Sequence, residues 1–194
     1  MFIVRQRAAD RDYEAIRLSK SLSVKNSSIS SATESAPSGS SFGSERSSQG
    51  RTTINSDPEL PLIYEPEGSD YIVGINLPSD LDLTDGVKLD SAVAFQDAKS
   101  GVVVTAESVE GGARVHTVLE DADSPHSFSY ALDLPSGTSH HQYDDGSIVF
   151  THGGGAVVSM VAPPWAKDAT GKSIPTQISF EGGALTQVVY PEKG

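Results

Sequence analysis

An antiparallel β-sandwich, or a partly open barrel, is the fold class this sequence predicts, and three observations predict it. From residue 57 onward, short runs of β-branched and aromatic residues recur between Gly, Pro, Asp and Ser. Four connections, Glu110-Gly111-Gly112, Asp144-Asp145-Gly146, Gly153-Gly154-Gly155 and Glu181-Gly182-Gly183, carry the residues that tight hairpin turns demand. No segment of helical period separates the runs, so neighbouring strands must pair antiparallel.

The chain divides into three parts. Residues 1–25 alternate charges with apolar side chains, and Tyr13, Ile16 and Leu18 form an imperfect stripe that predicts a short amphipathic helix over about residues 8–20. Such a helix is marginal alone and forms against a partner; a basic targeting or docking segment is the functional alternative. Residues 26–56 are dominated by serine with almost no large apolar side chain, so burial cannot offset the ordering entropy, and a disordered Ser-rich linker is expected. Asn26-Ser27-Ser28 fits a glycosylation sequon, a pattern expected by chance in such a tract.

Residues 57–194 are the β-domain, long enough for one core. Strands are expected near Tyr71–Leu77, Val87–Phe95, Val102–Glu107, Arg114–Leu119, Ser127–Leu132, Ser139–Tyr143, Ser147–Thr151, Ala156–Val161, Gln177–Glu181 and Ala184–Val189. Alternation is plainest in Arg114-Val-His-Thr-Val-Leu119 and Ser127-Phe-Ser-Tyr-Ala-Leu132. The Pro-Pro-Trp turn at 163–165, the polar Asp168-Ala-Thr-Gly171 turn and the two last alternating segments describe the closing end of the domain.

Charge is unevenly placed. Residues 1–56 carry a net +3 and residues 57–194 a net −15. An acidic body repels phosphate backbones, which argues against nucleic acid as a partner; solubility alone accounts for the acidity. The chain has no cysteine, so disulfides, thiolate metal sites and a cysteine nucleophile are excluded together. No apolar run approaches the roughly 20 residues of a membrane helix, and no secretory signal core is readable at the N-terminus.

Several residue groups resemble chemical sites. Gly39-Ser40-Ser41-Phe42-Gly43 matches the G-x-S-x-G nucleophile pattern and His152-Gly153-Gly154-Gly155 the oxyanion pattern of esterases. Their order is reversed, Ser41 falls in the expected linker rather than on a strand-to-helix turn, and His152 opens a hairpin loop, so no catalytic residues are assigned. His140 and His141 are adjacent in an expected strand and point to opposite faces. His116 and His126 stand about one hairpin apart, with Asp121 and Asp123 between them, and are the one candidate metal-ligating group. Surface or edge histidines are the plainer reading. Asp80-Leu-Asp82-Leu-Thr-Asp85-Gly86 resembles the start of a calcium loop, but its glycine falls seventh and its twelfth position is Ser91. No cofactor is therefore assigned, with calcium at the acidic turns as the alternative to solvated turn acids. Trp165, the only tryptophan, either contacts a ligand by stacking or plugs one end of the sandwich with its N–H on a carbonyl.

The series Gly112-Ala-Arg-Val-His-Thr-Val118, Asp123-Ser-Pro-His126, Phe128-Ser-Tyr-Ala-Leu-Asp-Leu-Pro-Ser-Gly137, Asp144-Asp-Gly-Ser147, Ala162-Pro-Pro-Trp-Ala-Lys-Asp-Ala-Thr-Gly171, Pro175-Thr176 and Leu185-Thr-Gln-Val-Val189 resembles a family of largely uncharacterised actinobacterial proteins, many of them exported. The resemblance covers about residues 87–189, and its most specific part is the Pro-Pro-Trp-Ala run. It implies a cell-envelope or secreted β-module and supplies no catalytic residues. Relatives have a signal peptide that is not readable here, and a Pro-Val-Val-Ala-Asp-Pro-type tail where this chain reads Tyr190-Pro-Glu-Lys-Gly194.

The expectation is thus a non-enzymatic structural or binding module whose partner is an envelope component or a protein. Two rivals stand beside it: a carboxylate- or metal-dependent hydrolase built on Asp121, Asp123, His116 and His126, and a partner-binding regulatory or toxin-associated protein that engages through residues 1–25.

Overall fold

The computed structural model describes residues 41–89, 92–119, 124–168 and 170–190. Its described part is all-β and antiparallel throughout, without a closed barrel. The expected helix of residues 1–25 and the first part of the serine tract lie outside the described residues. No helix among the described residues is long and apolar enough to cross a membrane.

Seven strands make the larger layer: β1 (Ser41–Ser47), β2 (Gly50–Asn55), β3 (Leu62–Pro66), β4 (Val73–Ile75), β9 (Ser127–Asp133), β16 (Ala184–Val189) and β15 (Thr176–Glu181), in that spatial order. β5 (Val87–Leu89), β6 (Ala92–Gln96), β7 (Val103–Val109) and β8 (Gly112–Val118) form a four-stranded sheet, and β10 (Ser139–Gln142), β11 (Ile148–His152) and β12 (Ala156–Val161) a three-stranded one. β13 (Ala166–Lys167) and β14 (Ser173–Ile174) pair alone. Both smaller sheets face the larger layer. Ile54, Leu62, Ile75, Phe128 and Leu185 of the large layer share one apolar core with Phe95, Val104, Ala113, Ile148, Phe150 and Val161 of the smaller sheets. Phe150 meets Phe180 edge-on across the layers, with ring centroids 4.8 Å apart.

The serine tract is where the sequence reading needs correction. Residues 41–55, expected within the disordered linker, form the β1–β2 hairpin that opens the large sheet. The reason lies in β2, whose side chains alternate buried and half-buried. Ile54 enters the core, and the buried Thr52 hydroxyl donates to the Gly112 carbonyl of β8 at 2.7 Å. A threonine satisfied by the opposite layer fills a core position that composition reads as polar. Gly50 closes the hairpin with φ +149°, and a Cβ there would run into the Glu65 carbonyl and the Tyr64 ring. β3 was unexpected as well, because Pro58, Pro61 and Pro66 punctuate its flanks. The single strand expected over Val87–Phe95 is two, paired Val87↔Ala94 through Leu89↔Ala92.

The chain passes between layers after β4, β8, β9 and β12, and side-chain hydrogen bonds tie the first two of these passages. Tyr130 of β9 and Thr117 of β8 share a hydrogen bond of 2.6 Å between hydroxyls. Burial, aided by the nearby Asp80 charge and only partly opposed by that hydrogen bond, pushes the Tyr130 phenol up to about 12. The β6–β7 turn is held by Asp97, which is 3% exposed. Its carboxylate accepts from the amides of Asp82, Lys99 and Ser100 at 2.6, 3.2 and 2.6 Å and from the Ser100 hydroxyl. Burial alone would raise its pKa; the Ser100 hydroxyl and the three amides outweigh burial and hold it below the usual carboxylate value. Across β7 and β8 the directly paired Glu107 and Arg114 form an ion pair at 2.8 Å, with side chains 17% and 9% exposed.

Candidate functional site

Among the described residues, a groove of about 360 Å³ with several polar groups lies at the β15 edge of the large sheet. One wall is β15, the last strand of that sheet, from Thr176 to Ser179. The other is the turn from Gln142 to Gly146 that joins β10 to β11. Pro164, Thr186 and Val188 form the floor.

The turn wall is built by local chemistry. Tyr143 donates its N–H to the Ser147 carbonyl at 2.8 Å, and Gly146 returns a bond to the Tyr143 carbonyl at 2.9 Å. Asp145 accepts from the Ser147 amide at 2.9 Å and the Ser147 hydroxyl at 2.6 Å, and that hydroxyl, then the amide, lowers its carboxyl pKa. Gly146 adopts φ +85°, and a Cβ on it would sit 2.9 Å from Cδ of Pro164. The Pro-Pro-Trp segment therefore presses against the turn and fixes the depth of the groove.

The strand wall is an open sheet edge. Among the described residues β15 pairs with β16 on one side only, and its side chains alternate half-buried and exposed. The Ile178 carbonyl points away from β16 and accepts from the Gln142 side-chain amide at 2.7 Å. Gln142, itself exposed, thus occupies one backbone acceptor of the edge and links the two walls. Behind them, the Gln187 amide bonds the Trp165 carbonyl at 3.3 Å and the Thr176 hydroxyl at 3.2 Å, and Thr176 donates to the Val188 carbonyl. Asp144, Asp145 and, at the far end of β15, Glu181 are exposed, and among the described residues no Lys or Arg lines the groove.

The residues expected to carry chemistry are dispersed. His116 lies on β8 and His126 just before β9, so they belong to different sheets rather than to one hairpin. The His116 ring meets the Trp165 indole edge-on at 5.4 Å, and the His126 carbonyl accepts from Val189, extending the β9–β16 pairing. Asp121 and Asp123 lie outside the described residues. Among the described residues, no three His, Cys, Asp or Glu side chains are grouped to hold a metal ion. In the acidic stretch at 80–85, Asp82 pairs with Lys99 at 3.2 Å and its amide goes to Asp97. His140 packs on Phe180 at 4.9 Å and His141 on Tyr143 at 4.6 Å. Ser41 begins β1, so the G-x-S-x-G stretch runs into an edge strand instead of a strand-to-helix turn.

Trp165 is half-buried, with the His116 ring against it and the Lys167 ammonium 5.6 Å from its ring centroid. Its enclosed Nε1 makes no hydrogen bond to a carbonyl among the described residues, contrary to the expectation for a core plug. The Trp165 backbone, through Gln187, supports the groove floor. Several groove residues fall in motifs legible in the sequence, Pro164 and Thr176 among them, but none carries a signal of a binding site. The Asp144-Asp145-Gly146 turn was legible as a turn, but nothing in it signals the strand, 30 residues further on, that it faces.

No protein-family model matches this chain, and no curated protein or solved structure matches it significantly.

Proposed function

We propose that this protein is a non-enzymatic binding module of the cell envelope or exterior, and that it takes an extended polypeptide segment along β15. The observation that carries this reading is the Gln142 amide on the Ile178 carbonyl. A side-chain N–H stands there in the place that a backbone N–H of an added strand would take. Strand addition draws affinity from main-chain hydrogen bonds, and alternate side chains give specificity. Thr176, Gln177 and Ser179 supply a neutral polar wall, while Asp144 and Asp145 favour a segment carrying Lys or Arg. The envelope setting is supported by the sequence resemblance of residues 87–189.

Selection of a random-peptide display library on the full chain, followed by an NMR titration with a selected peptide, tests this reading. Shifts are expected at Gln142–Gly146 and Thr176–Ser179, and Gln142→Ala, which frees the Ile178 carbonyl for a ligand N–H, should tighten binding severalfold. Failure to select any peptide, or shifts confined to other strands, would reject it.

A further inference from the structure

The groove has an acidic rim, and the same chain carries a basic segment of strand period outside the described residues. We propose that residues 20–25, Lys-Ser-Leu-Ser-Val-Lys, are the groove's own occupant, adding to β15 as an eighth strand of the large sheet. This inference rests on the reading of β15 as a strand-binding edge.

Ladder parity defines what the edge offers. In an antiparallel sheet the N–H and C=O of one residue point to the same side, and the side alternates along the strand. The Ile178 carbonyl faces Gln142 rather than β16, so Thr176, Ile178 and Phe180 present their backbone groups outward. Their side chains are the half-buried ones: Ile178 and Phe180 pack on the core, whereas Gln177, Ser179 and Glu181 are exposed. A strand added here must be apolar on one face and polar on the other, over about six residues.

Residues 20–25 meet those terms. Leu22 and Val24 fall on one face of a strand and Ser21 and Ser23 on the other. Placed beside β15, the first pair extends the apolar face of Ile178 and Phe180, and the serines extend the polar face of Gln177 and Ser179. The segment matches β15 in length, and lysines stand at both its ends. On the receiving side, Asp144 and Asp145 line the groove with Thr176–Ser179, and Glu181 ends β15. Residues 1–25 carry a net +3 against −15 for residues 57–194.

Reach does not forbid the placement. The large sheet runs from β1 to β15 over six strand spacings, about 29 Å at roughly 4.8 Å each. Residues 26–40 can extend to about 50 Å at roughly 3.3 Å per residue. A tethered segment acts at an effective concentration of about millimolar, so even a weak strand contact is populated within one chain. An outside ligand of the groove must then displace residues 20–25, which makes the segment an internal competitor.

The test is zero-length carbodiimide cross-linking of dilute full-length protein, read by mass spectrometry on a mixture of light and heavy isotope-labelled chains. Links from Lys20 or Lys25 to Asp144, Asp145 or Glu181 within one isotope form are expected. In parallel, amide exchange at Ile178 and Phe180 should quicken at least tenfold in Leu22→Pro, with β7 and β8 unchanged. Links found only between light and heavy chains would overturn the proposal in favour of a second copy as donor. Absence of those links together with unaltered exchange in Leu22→Pro would also overturn it. If a display-selected peptide still shifts Thr176–Ser179 in that case, the strand-binding reading survives; if it does not, both fall.

Discussion

The Asp97 turn and the Asp145 turn use one device in two settings. In each, an aspartate carboxylate accepts from the amide and the hydroxyl of a serine two or three residues on, and in each the bonds lower the carboxyl pKa. Asp97 is buried, bonds three amides and ties residue 82 to the β6–β7 turn. Asp145 is exposed, bonds only Ser147 and stands on the rim of the groove. Burial turns the first carboxylate into an internal fastening, whereas exposure leaves the charge of the second available to a partner. The same residue chemistry therefore serves stability at one turn and, in the proposed function, recognition at the other.

Breaking the buried turn should have the largest effect. Asp97→Ala leaves the amides of Asp82, Lys99 and Ser100 without their acceptor and should cost about 3 kcal/mol, since hydrogen bonds to a charged group contribute roughly 1.5–3 kcal/mol. Urea unfolding at neutral pH measures it. Because the folded pKa of Asp97 is depressed, its contribution is complete above the ordinary aspartate value and is lost as pH falls through the folded value. Wild type should thus lose more stability than Asp97→Ala between neutral pH and that acid range; parallel acid titrations would contradict the assignment.

Next in size is Gly146→Ala, which strains a positive φ and forces the new Cβ against Pro164. A loss of about 1–2 kcal/mol is expected, with NMR shifts spreading to Trp165 and Gln187. Tyr130→Phe removes the hydroxyl pair with Thr117 between the layers and should cost about 1 kcal/mol. In wild type the Tyr130 phenol, raised to about 12 from an ordinary value of 10, contributes fully below pH 10 and loses that contribution as pH rises toward 12. Tyr130→Phe should flatten that alkaline loss of stability. The smallest effect belongs to Asp145→Asn, which should leave the urea midpoint unchanged within error while weakening binding of a Lys-containing peptide. A change in stability as large as that of Asp97→Ala would erase the distinction between the two turns.

Much of the β-domain is legible in the sequence. The Glu110-Gly111, Asp144–Gly146, Gly153–Gly155 and Gly182-Gly183 connections are hairpin turns, as their residues demand, and the strands they join lie close to the expected bounds. The β1–β2 hairpin was not legible, because its buried position 52 is a threonine whose partner, the Gly112 carbonyl, is 60 residues away. β3 was hidden by prolines that punctuate its flanks but leave its ladder intact. Strand bounds and turns rest on neighbouring residues, so one sequence window contains the whole signal.

The chain by itself determined an acidic, cysteine-free antiparallel β-domain, since composition, period-two patterning and turn chemistry are local properties. Only the tertiary structure decided which strand is left at the edge of the large sheet and which turn comes to face it. It likewise sent His116 and His126 to different sheets and set Trp165 between His116 and Lys167. These outcomes depend on long-range strand order and layer packing, and the residues that build the groove are far apart in the chain. No local pattern encodes their meeting.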